Sequence, residues 1–264
     1  MKKSRKIFSK LFMLAIMIFF YMPIVYTVVF SFNSKKSLTH WSGFSLKWYE
    51  KMLSSSSMMD ALWTTISIAI LATVISTVIG TITAIGLSKS NKILKAIVER
   101  INDFPIMNPE IVTAISLLML FSALRIQKGY ITMLLAHIMF CIPYVMLSVS
   151  PKLRSLDPNL SDAALDLGAT PWQALIKVII PQIMPGVISG ALVAFTMSFD
   201  DFIISYFVTG NGVSNISILV YTMSKRINPS INALSTVIIL IITVVLVLVN
   251  IIPIIRNNKK GVKE

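Results

Sequence analysis

Ser161–Gln182 reads SDAALDLGATPWQALIKVIIPQ, a polar interruption late in a very apolar chain. Its signals predict two short helices. Asp157 is placed to cap the first, with Pro158 at the first helical position, where the missing N–H costs nothing. Leu160, Ala163, Ala164 and Leu167 then recur at helical spacing. Gly168 ends that helix, because glycine enters the left-handed region without a Cβ penalty. Thr170 and Pro171 repeat the cap-plus-proline signal, and a second helix is expected over 171–180, until Pro181 and Pro185 bend the chain. Two readings are open for this stretch. It is a docking surface for another subunit, or a connector that packs on its own protein.

Outward from this loop the chain is hydrophobic. Of its 264 residues, 55% are apolar, and the mean hydropathy is +0.80. That excludes a soluble domain of this length. Several apolar stretches reach the roughly 20 residues that a helix needs to cross a bilayer. They predict an all-α integral membrane protein with six spans: 11–32, 61–87, 104–124, 130–150, 186–208 and 232–255. The whole of 1–264 is then one polytopic domain, with 151–185 as its largest loop on the terminus side. The formal charge of +13 does not point to nucleic acid, because the basic residues sit between the apolar runs. Cys141 is the single cysteine, so no intrachain disulfide forms, and no Cys/His metal spacing exists. His137 lies within a span and reads as a packed polar residue rather than a ligand.

The N-terminal run after Lys10 is too long for a signal peptide and continues through Tyr21, Pro23 and Tyr26, which makes it an uncleaved first span. Trp41, Trp48 and Tyr49 in the next polar loop read as interface anchors. In span two, Gly80 and Gly86 are small residues suited to close helix contact. Ser88–Asp103 reads as a basic loop. In span three, Asn108, Pro109 and Glu110 form a fresh N-cap, first-position proline and acidic first turn, which predicts a bent or broken helix. Two thirds of the 24 Lys and Arg lie on the side that holds both termini. Positive-inside bias therefore puts the termini and the Ser161–Gln182 loop in the cytoplasm.

Span five carries Ser198-Phe199-Asp200-Asp201-Phe202. A charged side chain near the bilayer centre costs roughly 2.5–3.5 kcal/mol on insertion scales, so such residues mark pathways or tight structural pairs. Both readings are open here. Adjacent helical residues point about 100° apart, so the two acids do different jobs. Asp200 and Asp201 suit a cationic rather than an anionic solute. Glu110 is a third acid, with the alternative role of a first-turn carboxylate favoured by the helix dipole. Phe199 and Tyr206 are the aromatic candidates beside the acids, because an alkylammonium takes both charge partners and cation–π contacts.

These motifs carry a family resemblance. Asp162-Ala163-Ala164, then Gly168-Ala169, then Val178, Ile180 and Pro181 resemble the EAA loop of ABC-importer permeases, with Asp162 in place of the usual Glu. Pro109-Glu110-Ile111-Val112 and Ser198–Ser205 add a resemblance to PotC-type permeases of spermidine/putrescine importers. The resemblance implies a type I, MetI-like permease in a bacterial inner membrane. It further implies a polyamine path through this subunit, with Asp162, Ala163, Ala164, Gly168, Ala169 and Pro181 in an ATPase-coupling loop. The implied partners are a homologous second permease, two cytoplasmic ATPase subunits and an extracytoplasmic binding protein. ATP and Mg belong to those ATPases, since this chain has no GxxxxGK[ST] loop and no nucleophile–base set. A permease for ferric ion or another small solute is the alternative within the family. A secondary transporter, driven by an ion gradient, is the rival outside it.

Overall fold

The computed structural model describes residues 2–224 and 228–260. Almost all of that is helix. In chain order the elements are α1 (Lys2–Ser31), α2 (Lys47–Leu53), α3 (Ser56–Ser88), α4 (Lys92–Met107), α5 (Glu110–Ala123) and α6 (Tyr130–Arg154). Then come α7 (Leu160–Asp166), α8 (Pro171–Ala174), a π-helical segment (Leu175–Ile179), α9 (Ile180–Phe199), α10 (Ile203–Val208), α11 (Ile216–Ser224) and α12 (Pro229–Lys260). Lys225 and Arg226, and residues 261–264 of the basic tail, lie outside the described residues.

Four helical stretches are long and apolar enough to cross a membrane: Phe8–Ser31, Ser56–Ser88, Tyr130–Arg154 and Pro171–Phe199. A fifth arises if α4 and α5, bent by 108° at their junction, count as one span. The count among the described residues is therefore four or five rather than the six expected. The last expected span falls in α12, whose described apolar part is Pro229–Val244.

Two sequence boundaries move. Ser88–Asp103 is not a loop; most of it is α4, which also takes in Phe104–Met107 from the expected third span. Asn91 caps it by accepting the Leu94 N–H at 2.7 Å. Ile93, Ile97, Ile101 and Phe104 form an exposed apolar stripe at helical spacing. The density of charges around that stripe hides its period in the sequence. The α5 start also shifts by one. Pro109, in an extended conformation (ψ 133°), is the cap position, and Glu110 is the first helical residue.

The chain divides into two compact units, Asp60–Leu219 and the pair of segments Met1–Met59 and Val220–Glu264. In the second of these, α12 packs on α1 and α2. The polar loop after α1 folds around Asn33, whose amide donates to the carbonyls of Ser37 and His40 and accepts from the Ser42 N–H. Trp48 is only 7% exposed, and its indole N–H donates to the Asn33 carbonyl at 2.6 Å. It is a packed residue of α2 rather than the interface anchor expected. Trp41 is exposed, as an anchor would be.

In the Asp60–Leu219 unit α6 is the central helix. Its neighbours approach it through small residues four apart. Gly186, Gly190 and Ala194 of α9 are all buried. A Cβ on Gly190 would lie 3.1 Å from the Val145 Cα, and one on Gly186 3.0 Å from the Ser148 carbonyl. Gly80 of α3 does the same on Val145, at 2.9 Å. Lipid offers helices no hydrophobic drive to associate, so close backbone approach supplies dispersion contact instead. Gly86 does not share the role expected of it, since nothing lies within 4 Å of its missing side chain.

Candidate functional site

The expected fifth span is not one helix. It starts earlier, at Pro171, and breaks at Asp200–Phe202 between α9 and α10. The sequence builds this break with Asp201. Its Oδ1 accepts the Ile204 N–H at 3.2 Å and its Oδ2 the Ser205 N–H at 2.7 Å, so one carboxylate satisfies two first-turn donors of α10. A residue that starts a new helix so strongly ends the old one.

Asp201 is 7% exposed and sits in a buried polar hub. His137 of α6 is at its centre. Its Nδ1 lies 2.7 Å from the Ser198 hydroxyl at the end of α9, and its Nε2 2.9 Å from the Ser205 hydroxyl at the start of α10. The same Nε2 is 3.4 Å from Asp201 Oδ2. Asn215 closes the hub, donating to the Asp201 carbonyl at 3.0 Å and the Ser205 hydroxyl at 2.9 Å. Its side-chain oxygen accepts the Ile218 N–H, which caps α11. A buried polar network is costly when half satisfied and rigid when complete, and each side chain here has a partner.

Asp200 has the opposite environment. It is exposed, closes α9 by donating its N–H to the Thr196 carbonyl at 3.3 Å, and accepts the Ser217 hydroxyl on its own carbonyl. The two acids do have different surroundings, but the helix break parts them, not a 100° helical step. Glu110 is half-buried at the start of α5 and within electrostatic reach of both aspartates. Phe199 is half-buried and stacks on Phe195 at 5.6 Å between ring centroids. Tyr206 is exposed and lies 5.4 Å from the Phe202 ring. The described residues hold no group of three His, Cys, Asp or Glu that could ligate a metal ion.

In the Ser161–Gln182 stretch the first helix starts at Leu160, not at Pro158. Asp157 spends its carboxylate on the Asn159 N–H, 2.9 Å away, in a turn that precedes the helix. Its end is as expected. Gly168, at φ +84°, donates to the Leu165 carbonyl, and Ala169 donates to that of Ala164, the paired bonds of a Schellman cap. Thr170 and Gln173 then form a reciprocal capping box. Pro181 does not end the second helix. The π-helical turn just before it widens the backbone where the Pro181 ring would otherwise strike the Lys177 carbonyl, so the helix runs on into α9. Asp162, Ala163, Gly168 and Pro181 are exposed, Ala169 is half-buried and Ala164 is buried.

Residues 76–255 match the family described as the binding-protein-dependent transport system inner membrane component. The chain belongs to this family. Among curated relatives of the permease, the putrescine transport system permease protein PotI of Escherichia coli K12 is 39% identical over 83% of this chain and 81% of its own. The spermidine/putrescine transport system permease protein PotC of the same strain is 38% identical, over 95% and 94%. Among solved structures, a bacterial ABC transporter that imports the acidic polysaccharide alginate aligns over 95% of the permease and 96% of its own chain. Its TM-score is 0.72 at 16% identity, which shows a shared fold.

Two features of the permease escaped the sequence reading. Leu167 is 90% exposed and Trp172 68% exposed, so the loop presents bulky apolar groups beside Asp162 and Asp166. The hub of His137, Ser198, Ser205 and Asn215 was also missed. A signal existed, since Ser198, Asp201 and Ser205 recur at spacings of three and four, one face of a helix. That face needed a polar partner, and His137 was the polar residue in span four able to bridge it.

Proposed function

We propose that this chain, acting as one membrane domain, forms part of the translocation path for polyamines in an ATP-driven importer. The observation that carries the reading is the parted aspartate pair. Asp201 is consumed by the hub, while Asp200 keeps an exposed carboxylate beside Phe199 and within electrostatic reach of Glu110. Carboxylates beside aromatic rings suit a flexible polycation, which takes charge partners and ring faces along its length. The names of the PotI and PotC relatives support the same substrate class.

The partners in this reading are a homologous second permease, two cytoplasmic ATPases holding ATP and Mg, and an extracytoplasmic binding protein. The alginate transporter, solved with its substrate-bound periplasmic protein, supports the last of these by analogy of fold. The charge bias supports cytoplasmic termini. The exposed Asp162, Asp166, Leu167 and Trp172 are the surface offered to an ATPase cleft.

The test is ATPase stimulation of the reconstituted complex, with its cognate binding protein, across spermidine, putrescine, ferric ion and sulfate. Stimulation by the polyamines alone is expected. Stimulation by ferric ion or sulfate instead removes the polyamine assignment and leaves the importer permease standing.

A further inference from the structure

The hub does more than stabilise the bundle, because its atoms straddle the helix break. His137 touches the last turn of α9 through Ser198 and the first turn of α10 through Ser205, and it faces the Asp201 carboxylate that starts α10. Its ring is held between the two sides of the break by α6, the helix to which α9 and α10 both pack. The carboxylate favours hydrogen on Nε2, since a ring lone pair 3.4 Å from Asp201 Oδ2 would be repelled. Nδ1 then accepts from the Ser198 hydroxyl, and the Nε2 hydrogen is directed at Ser205 and Asp201. With the ring so fixed, the angle between α9 and α10 is fixed. The residue left at the outside of that angle is Asp200.

We infer that His137 is a positioning residue for transport: it staples the two sides of the break and so sets where the Asp200 carboxylate stands. His137 does not touch the solute; its effect passes through the backbone at 200–202. The sense of this role rests on Asp200 lying in the path, but the geometric claim does not, and the two are tested separately.

The first measurement needs no substrate. In an Asp200→Cys background, the rate at which a membrane-impermeant maleimide labels position 200 is compared with and without His137→Gln in the assembled complex. The native Cys141 is buried and contributes little background. Loss of the bridging bonds shifts the labelling rate by about tenfold. An unchanged rate overturns the inference. Ser198→Ala, which removes one bond of the staple, shifts it in the same direction. If neither variant assembles, the hub is purely structural and the inference is likewise overturned.

The second measurement is a double-mutant cycle on uptake. Asp200→Asn and His137→Gln each raise the KM for spermidine, and the double variant is little worse than Asp200→Asn alone. Additive losses overturn the positioning role and leave the path intact. A normal KM in Asp200→Asn instead removes the path reading of Asp200, and the labelling result stands by itself.

Discussion

A carboxylate carried into an apolar bundle must find donors or remain at a surface, because an unpaired buried charge is costly. Asp201 finds two backbone N–H groups, and Asp200 stays exposed. Substitution should therefore separate them. Asp201→Ala leaves two first-turn donors of α10 open and His137 without its counter-group. A loss of about 1–2 kcal/mol is expected from the cap alone, read as a lower melting temperature and poorer assembly in detergent. Asp200→Asn should leave melting and assembly unchanged and reduce uptake. Equal melting losses in the two variants would contradict the division of roles. The presence of costly acids was legible in the sequence at this scale. Their arrangement was not, because it depends on His137 and Asn215, distant along the chain from the break they complete.

Local signals decided the elements well where they were strong and self-contained. The Gly168 turn and the Thr170 cap with Pro171 behind it each involve residues within five positions of one another, and both formed as the pattern required. Pro181 misled because a proline's effect depends on the turn before it, and a π-helical turn carries no sequence signature as clear as a cap. The α4 stripe is hidden because Lys92, Lys95, Glu99, Arg100 and Asp103 interrupt the apolar run, so hydropathy alone does not reveal the helical period. Gly168→Val tests the loop at this scale. Space around the missing side chain is open, so the cost is conformational, about 1–2 kcal/mol for leaving the left-handed region or enduring it. The Schellman cap should fail and α7 and α8 change their mutual angle. ATP hydrolysis by the complex should then continue without uptake. Full uptake would show that the angle between these helices does not matter.

At the scale of the molecule, the all-helical membrane architecture was plain in the apolar runs, and the small-residue contact at Gly80 was legible too. The number of spans was not. Hydropathy cannot distinguish one straight crossing from two helices joined at 108°, as in α4 and α5. Nor could it show that the second helix of the largest loop and the span after it are one continuous helical rod from Pro171 to Phe199.

That rod contains spare length. The turn at Leu175–Ile179 holds one residue more than an α-helix would use, between α8 and the glycine face with which α9 packs against α6. A rod with a stored residue behaves as a screw with play in its thread. Winding the extra residue into α-helix turns one end against the other by about 100° and lengthens the rod by about 1.5 Å, with no hinge and no unfolding. Deleting Ile176 should take the play out permanently. The chain should still insert and α8 should keep its bearing relative to α9, but stimulated ATP hydrolysis and uptake should both be lost because the rod can no longer turn. Uptake that survives the deletion would mean that the thread never turns.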